Sequence, residues 1–390
     1  MRQYVRKLTD ALRRCDLVLL LLCVVTTVFG CMIIASTTNA SALGPTRYLL
    51  VQIGAAIAGI LAFVFFSSID TEFFSEHRVA LIVINTSLLL LLVPFGTDNG
   101  TGNRSWLNFS FLPFDIQPAE ICKITFVLIM ASVMASRQNS ISSPLSISRI
   151  IVNMVLMVGL NLLVSRDMGV SLIFVFITIG MVWSGGVHWM WFVAAGALLL
   201  LAAPVAWEFV FSDNQKNRIM VLFDPSLDPQ GTGPMYHTIR ALRSLTGGGL
   251  TGQGLFQGNR TQTRGALFAQ HTDFIFAAIG EELGFIGCAV VLLLLIAIVV
   301  RCIWVGNRST DYLRKLVCFG TASALIFQVV VNIGMCIGVM PVIGLTLPFI
   351  SYGGSSLITL YAMLGLVSGV YARPHATSHE RYIQPPMLHY

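Results

Sequence analysis

The chain has 390 residues, 55% of them hydrophobic and only 11% charged, with a formal net charge of +6 and a mean hydropathy of +0.79. Soluble domains carry roughly 25% charged residues, so a water-soluble fold of this length would lack the polar surface to cover itself. A soluble enzyme is excluded, no nucleic-acid partner is expected, and an integral membrane protein is left.

The apolar residues fall into ten blocks: Leu17–Ser36, Tyr48–Ile69, Val79–Phe95, Ala119–Ser136, Ile150–Ser165, Gly169–Trp183, Trp191–Phe211, Phe274–Val305, Val317–Met340 and Leu357–Ala372. Most have the ~20-residue length that crosses roughly 30 Å of hydrocarbon at about 1.5 Å per residue. Barrel strands would be about ten residues of alternating polarity. The predicted fold is therefore an all-α polytopic membrane protein with about ten transmembrane helices. A large extracytoplasmic loop lies between helices seven and eight. The first block is longer than a signal-peptide core and shows no small-residue cleavage motif. Residues 1–16 and 373–390 read as cytoplasmic tails, and 17–372 as one membrane domain whose external loop spans 212–272.

Orientation follows from where Lys and Arg collect. Arg2, Arg6, Lys7, Arg13 and Arg14 precede the first block, so the N-terminus is expected in the cytoplasm, and an even helix count returns the C-terminus there. Arg78, Arg137, Arg149, Arg301, Arg308, Arg314, Lys315, Arg373 and Arg381 then also fall inside. Only Arg47, Arg104 and Arg166 lie in short outside loops. The long loop carries Lys216, Arg218, Arg240, Arg243, Arg260 and Arg264, and at roughly 60 residues it sits where the rule weakens. The eight cysteines all lie in or beside predicted helices without a CxxC, and the seven histidines are scattered. Helix packing explains such cysteines better than disulfides or zinc.

Polar detail is concentrated in four segments. Asn99-Gly100-Thr101-Gly102-Asn103-Arg104-Ser105-Trp106 is a turn-rich outside loop, followed by Gln117-Pro118-Ala119-Glu120-Ile121-Cys122-Lys123. Pro118 and Glu120 suit a helix start, and Lys123 lies on the face of Glu120. The two form either a helix-end ion pair or a functional pair, because a charge that deep is costly unless paired or facing water. Trp106 reads equally as an interfacial anchor. The long loop holds Phe223-Asp224-Pro225-Ser226-Leu227-Asp228-Pro229-Gln230-Gly231-Thr232-Gly233 and a glycine run from Gly247 to Gly254. These are turn signals, with Arg nearby that suits phosphate or anionic lipid.

His271-Thr272-Asp273-Phe274 re-enters the membrane, Asp273 being an acid at its mouth or an N-cap. Glu281 and Glu282 follow about 12 Å into a straight helix. With Gly280 and Gly284 they suggest an interfacial or re-entrant first part that faces a water-filled cavity. The last segment, Gly338 to Ser356, is punctuated by Pro and Gly. Ser351, Gly353 and Gly354 read there as structural support, and Ser355 or Ser356 as a helix cap.

In order and wording these motifs resemble the SEDS family (shape, elongation, division and sporulation), which includes RodA, FtsW and SpoVE. NG…RSW…QPAE..K resembles the family's NG..RW…QPSE..K, and FDPSLDPQGTG its FLDP..DPLGAG. HTDFIFAAIGEELGFIG and GVMPVIGLTLPFISYGGSSL match almost residue for residue. The Gly-Leu-Phe-x-Gly stretch and Tyr236-His237 lean toward RodA, QPAE and IGEELG toward FtsW.

The resemblance implies a ten-helix peptidoglycan glycosyltransferase of the bacterial cytoplasmic (inner) membrane. Such enzymes polymerise lipid II at the outer face and work with a class B penicillin-binding transpeptidase, alongside other elongation or division membrane proteins. The family's essential acid falls on Asp273. Its other cavity residues fall on Arg47, Lys123 and Asp167, and its Arg-Trp pair on Arg104 and Trp106. Three departures are visible: Ala269-Gln270 for Pro-Glu, Arg166-Asp167-Met168-Gly169 for Pro-Asp-Leu-Gly, and Tyr236-His237-Thr238-Ile239-Arg240-Ala241 for Tyr-Gln-x-x-Gln-Ser.

The expected chemistry is inverting transfer with Asp273 as general base. Arg47, Lys123, and Arg240 or Arg243 are expected to neutralise the leaving pyrophosphate. No cofactor is evident, and a divalent cation (Mg2+ or Mn2+) is a candidate for sharing that task, without a metal cage in the sequence. A lipid-linked precursor flippase or transporter, or a non-catalytic scaffold for a transpeptidase, are the competing readings.

Overall fold

A computed structural model describes residues 15–39, 44–97, 103–109, 114–209, 211–228, 231–233 and 235–373. The N-terminal arginines, the Asn99–Gly102 turn and Arg381 lie outside the described residues.

The helices, in chain order, are α1 (Leu17–Thr37), α2 (Gly44–Ser68), α3 (Thr71–Glu76), α4 (Arg78–Leu90) and α5 (Leu92–Phe95). A two-residue antiparallel pair, β1 (Gly96–Thr97) and β2 (Trp106–Leu107), follows. Then come α6 (Pro118–Ala135), α7 (Pro144–Ser165), α8 (Met168–Ser184), α9 (Met190–Phe209), α10 (Asp213–Phe223), α11 (Tyr236–Gly248), α12 (Ile275–Arg308), α13 (Tyr312–Cys336) and α14 (Gly354–Ala372). Among the described residues nine helical stretches are long and apolar enough to cross a membrane, α4 and α5 counting as one. The shorter apolar α8 is a tenth. The chain is a multi-pass membrane protein.

Hydropathy located the spans, and local chemistry sets their ends. Ser143 accepts a hydrogen bond from the Ser146 amide ahead of Pro144, so α7 begins six residues before the apolar block that announced it. Asp311 accepts from the Leu313 amide, which starts α13 at Tyr312 rather than Val317. α13 stops at Cys336, short of the expected Met340, where Gly338 takes a positive φ of 77°.

Two apolar clusters form the core. One joins α1, α2 and α12, the other α4, α6, α7 and α8, while α13 and α14 contribute to both and Val342 packs against both. α14 meets α2 through Gly365 and Gly369. A Cβ on Gly365 would lie 2.6 Å from the Phe63 carbonyl oxygen, and one on Gly369 would lie 3.1 Å from that of Ser67. Small residues four apart let two backbones approach where lipid supplies no hydrophobic drive.

α12 is broken at Gly284 (φ 66°, ψ −163°), a conformation closed to residues with a Cβ. This agrees with the expected separate first part, but the water-filled surroundings expected for Glu281 and Glu282 are not found. Both are 1% exposed because the loop from 252 to 262 folds back over them. Glu282 Oε1 accepts from Ser36 Oγ and Thr261 Oγ1, each at 2.7 Å, and from Gln262 Nε2 at 3.0 Å. Glu281 Oε1 accepts from the Arg260 amide at 2.6 Å. Hydrogen bonds of this kind give these carboxyl groups partners that lipid could not, although Glu281 Oε2 meets no donor.

Candidate functional site

A cavity of about 490 Å³ opens between the two apolar clusters, walled by both. Asp273, Asp167 and Glu120 stand on its wall with Arg218, His237, Trp106, Gln328 and Tyr352.

Asp273 sits just before α12. The position next to the helix is Phe274, and no side chain caps α12, so Asp273 is no N-cap. Backbone contacts hold the segment instead. Asn332 Nδ2, one turn from the end of α13, donates to the carbonyls of Asp273 (2.8 Å) and Leu345 (2.7 Å). Ser351 Oγ donates to the Thr272 carbonyl at 2.6 Å and accepts from the Leu347 amide at 2.8 Å. The Tyr352 amide donates to the His271 carbonyl at 2.8 Å. The Gly-Pro-rich stretch from 337 to 353 is thus the cradle of Asp273, as the support reading of Ser351 expects. Gly353 donates its amide to Gln52 Oε1, and Gly354 packs under the Phe114 ring, 2.6 Å from where a Cβ would stand. Ser355 caps nothing; its hydroxyl accepts from the Gln117 amide at 3.3 Å.

Across the cavity, Asp167 caps α8 through the Val170 amide and accepts from Gln117 Nε2 at 3.1 Å. Lys123, fully buried, pairs with Glu120 at 2.7 Å. Glu120 reaches the cavity wall and Lys123 stands behind it. Burial, and then the Asp167 charge, push the Asp273 carboxyl up to about 6. Burial also raises Asp167, with Glu120 adding to it. His237 is held below the usual imidazole range by burial, then by Arg218 and Arg240, and is neutral at pH 7. A carboxylate poised near neutrality beside a second acid and a guanidinium is equipped to take a proton from a hydroxyl.

The expected cations divide. Arg47, exposed in the first turn of α2, stands near Tyr352 of the cavity. Arg240 is turned away: its guanidinium donates to the carbonyls of Gly265 (2.7 Å) and Ala266 (3.2 Å) and stacks on Tyr236. Arg243 is exposed and off the wall. The loop cation that reaches the cavity is Arg218 on α10, tied to the Val342 carbonyl at 3.0 Å. The fold of the loop decides this, and composition could not. Trp106 lines the cavity, whereas Arg104 lines a separate recess with Arg166. Gln328 and Asn332 went unread, although two amides four residues apart in an apolar span are the kind of signal that marks a polar site. Both are buried, with carbonyl oxygens that meet no donor.

Comparison with known proteins gives a consistent picture. The family profile for FtsW, RodA and SpoVE, described as "cell cycle protein", matches residues 14–375. Peptidoglycan glycosyltransferase MrdB of Escherichia coli strain K12 is 33% identical over 322 residues, 82% of this chain and 84% of that one. A probable peptidoglycan glycosyltransferase FtsW of Geobacter metallireducens is 31% identical over 376 residues, 94% and 97% of the two chains. A chain from a solved peptidoglycan synthase complex that coordinates polymerization and crosslinking aligns at a TM-score of 0.75 and 28% identity, covering 95% of this chain and 99% of that one. The rod shape determining protein RodA of Thermus thermophilus aligns at 0.67 and 26%, covering 93% and 98%. With its helices, its cradle and its motifs all inside the matched span, this chain belongs to the FtsW, RodA and SpoVE family of cell cycle proteins.

Proposed function

We propose that this chain is a peptidoglycan glycosyltransferase that polymerises lipid II into glycan strands at the outer face of the bacterial cytoplasmic membrane. The observation that carries the reading is Asp273, held by backbone contacts on the wall of a polar cavity and raised toward neutrality by burial. The acceptor sugar hydroxyl gives its proton to an Asp273 carboxylate oxygen as its own oxygen bonds to the donor's anomeric carbon. The bond from that carbon to the pyrophosphate breaks on the opposite side, so the configuration inverts. The lipid pyrophosphate leaves with the bonding pair. Arg218, and Arg47 near the rim, lie where they can offset its charge. Lys123 pairs with Glu120 and holds it in place rather than touching the substrate.

Among the described residues no three His, Cys, Asp or Glu side chains converge as a resident metal cage. A divalent cation bound with the pyrophosphate would supply charge neutralisation, and Asp167 on the cavity wall is a carboxylate that could meet it. Both termini in the cytoplasm, and a class B penicillin-binding transpeptidase as partner, belong to the same proposal.

The deciding experiment supplies purified lipid II to the purified protein, with and without such a transpeptidase, and resolves the products by length. Glycan strands from the wild type and none from Asp273→Asn support the reading. Strands made equally by both variants, or transbilayer movement of lipid II without polymer, would replace it with the scaffold or flippase alternative.

A further inference from the structure

Arg104 and Arg166 have no part in the cavity described above, yet the fold brings them together. They line one recess of about 430 Å³ with Leu92 and Val93 at the end of the third span and Leu163 and Val164 at the end of α7. No acidic side chain lines this recess, and neither guanidinium has a carboxylate partner among the described residues. Both side chains are exposed, and the recess opens onto an apolar flank where Val93 is 60% and Leu163 83% exposed. Arg166 holds a left-handed backbone (φ 57°), which ends α7 and places its side chain here. Two cations without a carboxylate partner among the described residues, at the end of two apolar helices and in loops otherwise short of positive charge, suit an anionic lipid headgroup with its chain along the flank.

The reaction proposed above supplies a reason for such a site, and the inference rests on that reading. Two polyprenyl-pyrophosphate lipids react, but only one loses its pyrophosphate. The other keeps its headgroup through the step, and that headgroup needs a holder away from the general base. We propose that Arg104 and Arg166 bind the retained pyrophosphate, with the hydrocarbon chain lying along Val93 and Leu163. Two guanidiniums match a group that carries at least two negative charges, whereas a phosphodiester lipid carries one.

The test uses the full-length protein in nanodiscs of phosphatidylcholine, with undecaprenyl pyrophosphate as the probe, counted per chain by native mass spectrometry. Arg104→Gln is combined with Arg166→Asn, because Asn tolerates the left-handed backbone. The wild type and Asp273→Asn should each bind two probes. The double variant should bind one, with the weaker site lost by at least tenfold, and Arg104→Lys with Arg166→Lys should retain part of it. Unchanged stoichiometry in a double variant that keeps its melting temperature overturns the site. Equal displacement of the probe by phosphatidylglycerol overturns its assignment to a pyrophosphate. Polymerisation by the wild type is scored in parallel, so failure of the enzymatic reading shows there and not in the binding count.

Discussion

At the scale of single residues, Asp273 and Lys123 make opposite demands on their surroundings. Burial raises the Asp273 carboxyl to about 6, so the proposed base is charged above that pH and protonated below it. Glycan-strand synthesis should be level above about pH 7, fall to about half near pH 6 and drop roughly tenfold per unit below about pH 5, read from initial rates. The same shift bears on stability: a carboxylate raised on folding favours the folded state at low pH and loses that contribution as pH rises through about 6. Asp273→Asn should therefore lose at least 100-fold in turnover while melting no lower than the wild type at pH 7.5. A lower melting temperature would mean that the carboxylate is structural. Lys123→Met leaves Glu120 buried without its 2.7 Å partner and should cost about 3–5 kcal/mol. Adding Glu120→Gln should restore most of that stability without restoring polymerisation. If the double variant polymerises normally, the pair only holds the helix.

Among the elements, the irregular stretch from 337 to 353 and the break in α12 carry the positioning of the site. Asn332→Ala removes two hydrogen bonds to buried carbonyls beside Asp273 and should cost about 2–4 kcal/mol, with kcat falling more than KM changes. Gly284→Ala combines a backbone that excludes a Cβ with one that would stand 2.4 Å from the Gly252 amide nitrogen. Its membrane-extracted protein should lose the folded outer loop, measured as faster proteolysis between Gly252 and Thr272. The ten spans were legible because apolar length is written residue by residue. Asp273, Asp167 and Glu120 with Lys123 were legible because charges bordering apolar blocks are costly and stand out. Arg218 could not be told from Arg240 or Arg243, since loop folding alone decides which cation faces inward. α10 and α11 went unread, because the loop is legible only at its Asp-Pro and glycine turns, which border these two short polar helices. Glu281 and Glu282 were correctly noticed as out of place in lipid, but their partners lie in Ser36 and the loop from 252 to 262, contacts that no local pattern announces.

For the molecule as a whole, the orientation proposed from Lys and Arg is open to a direct measurement. A cysteine placed at exposed Thr263 should react with a membrane-impermeant maleimide in intact cells, and one at exposed Asn307 should react only after permeabilisation. Reaction of both from outside would overturn the helix count. The native cysteines give little background, because all but Cys31 are buried. The cradle of Asp273 also has a consequence for the order of synthesis. The acid is reached at residue 273, but Asn332, Leu347, Ser351 and Tyr352, which fix its backbone, emerge only with the last hairpin. Until that hairpin is inserted, the nascent chain has an acid but no geometry. If Asp273 acts as proposed, a half-made protein in the membrane has no assembled site, and the site forms only with the insertion of the final span.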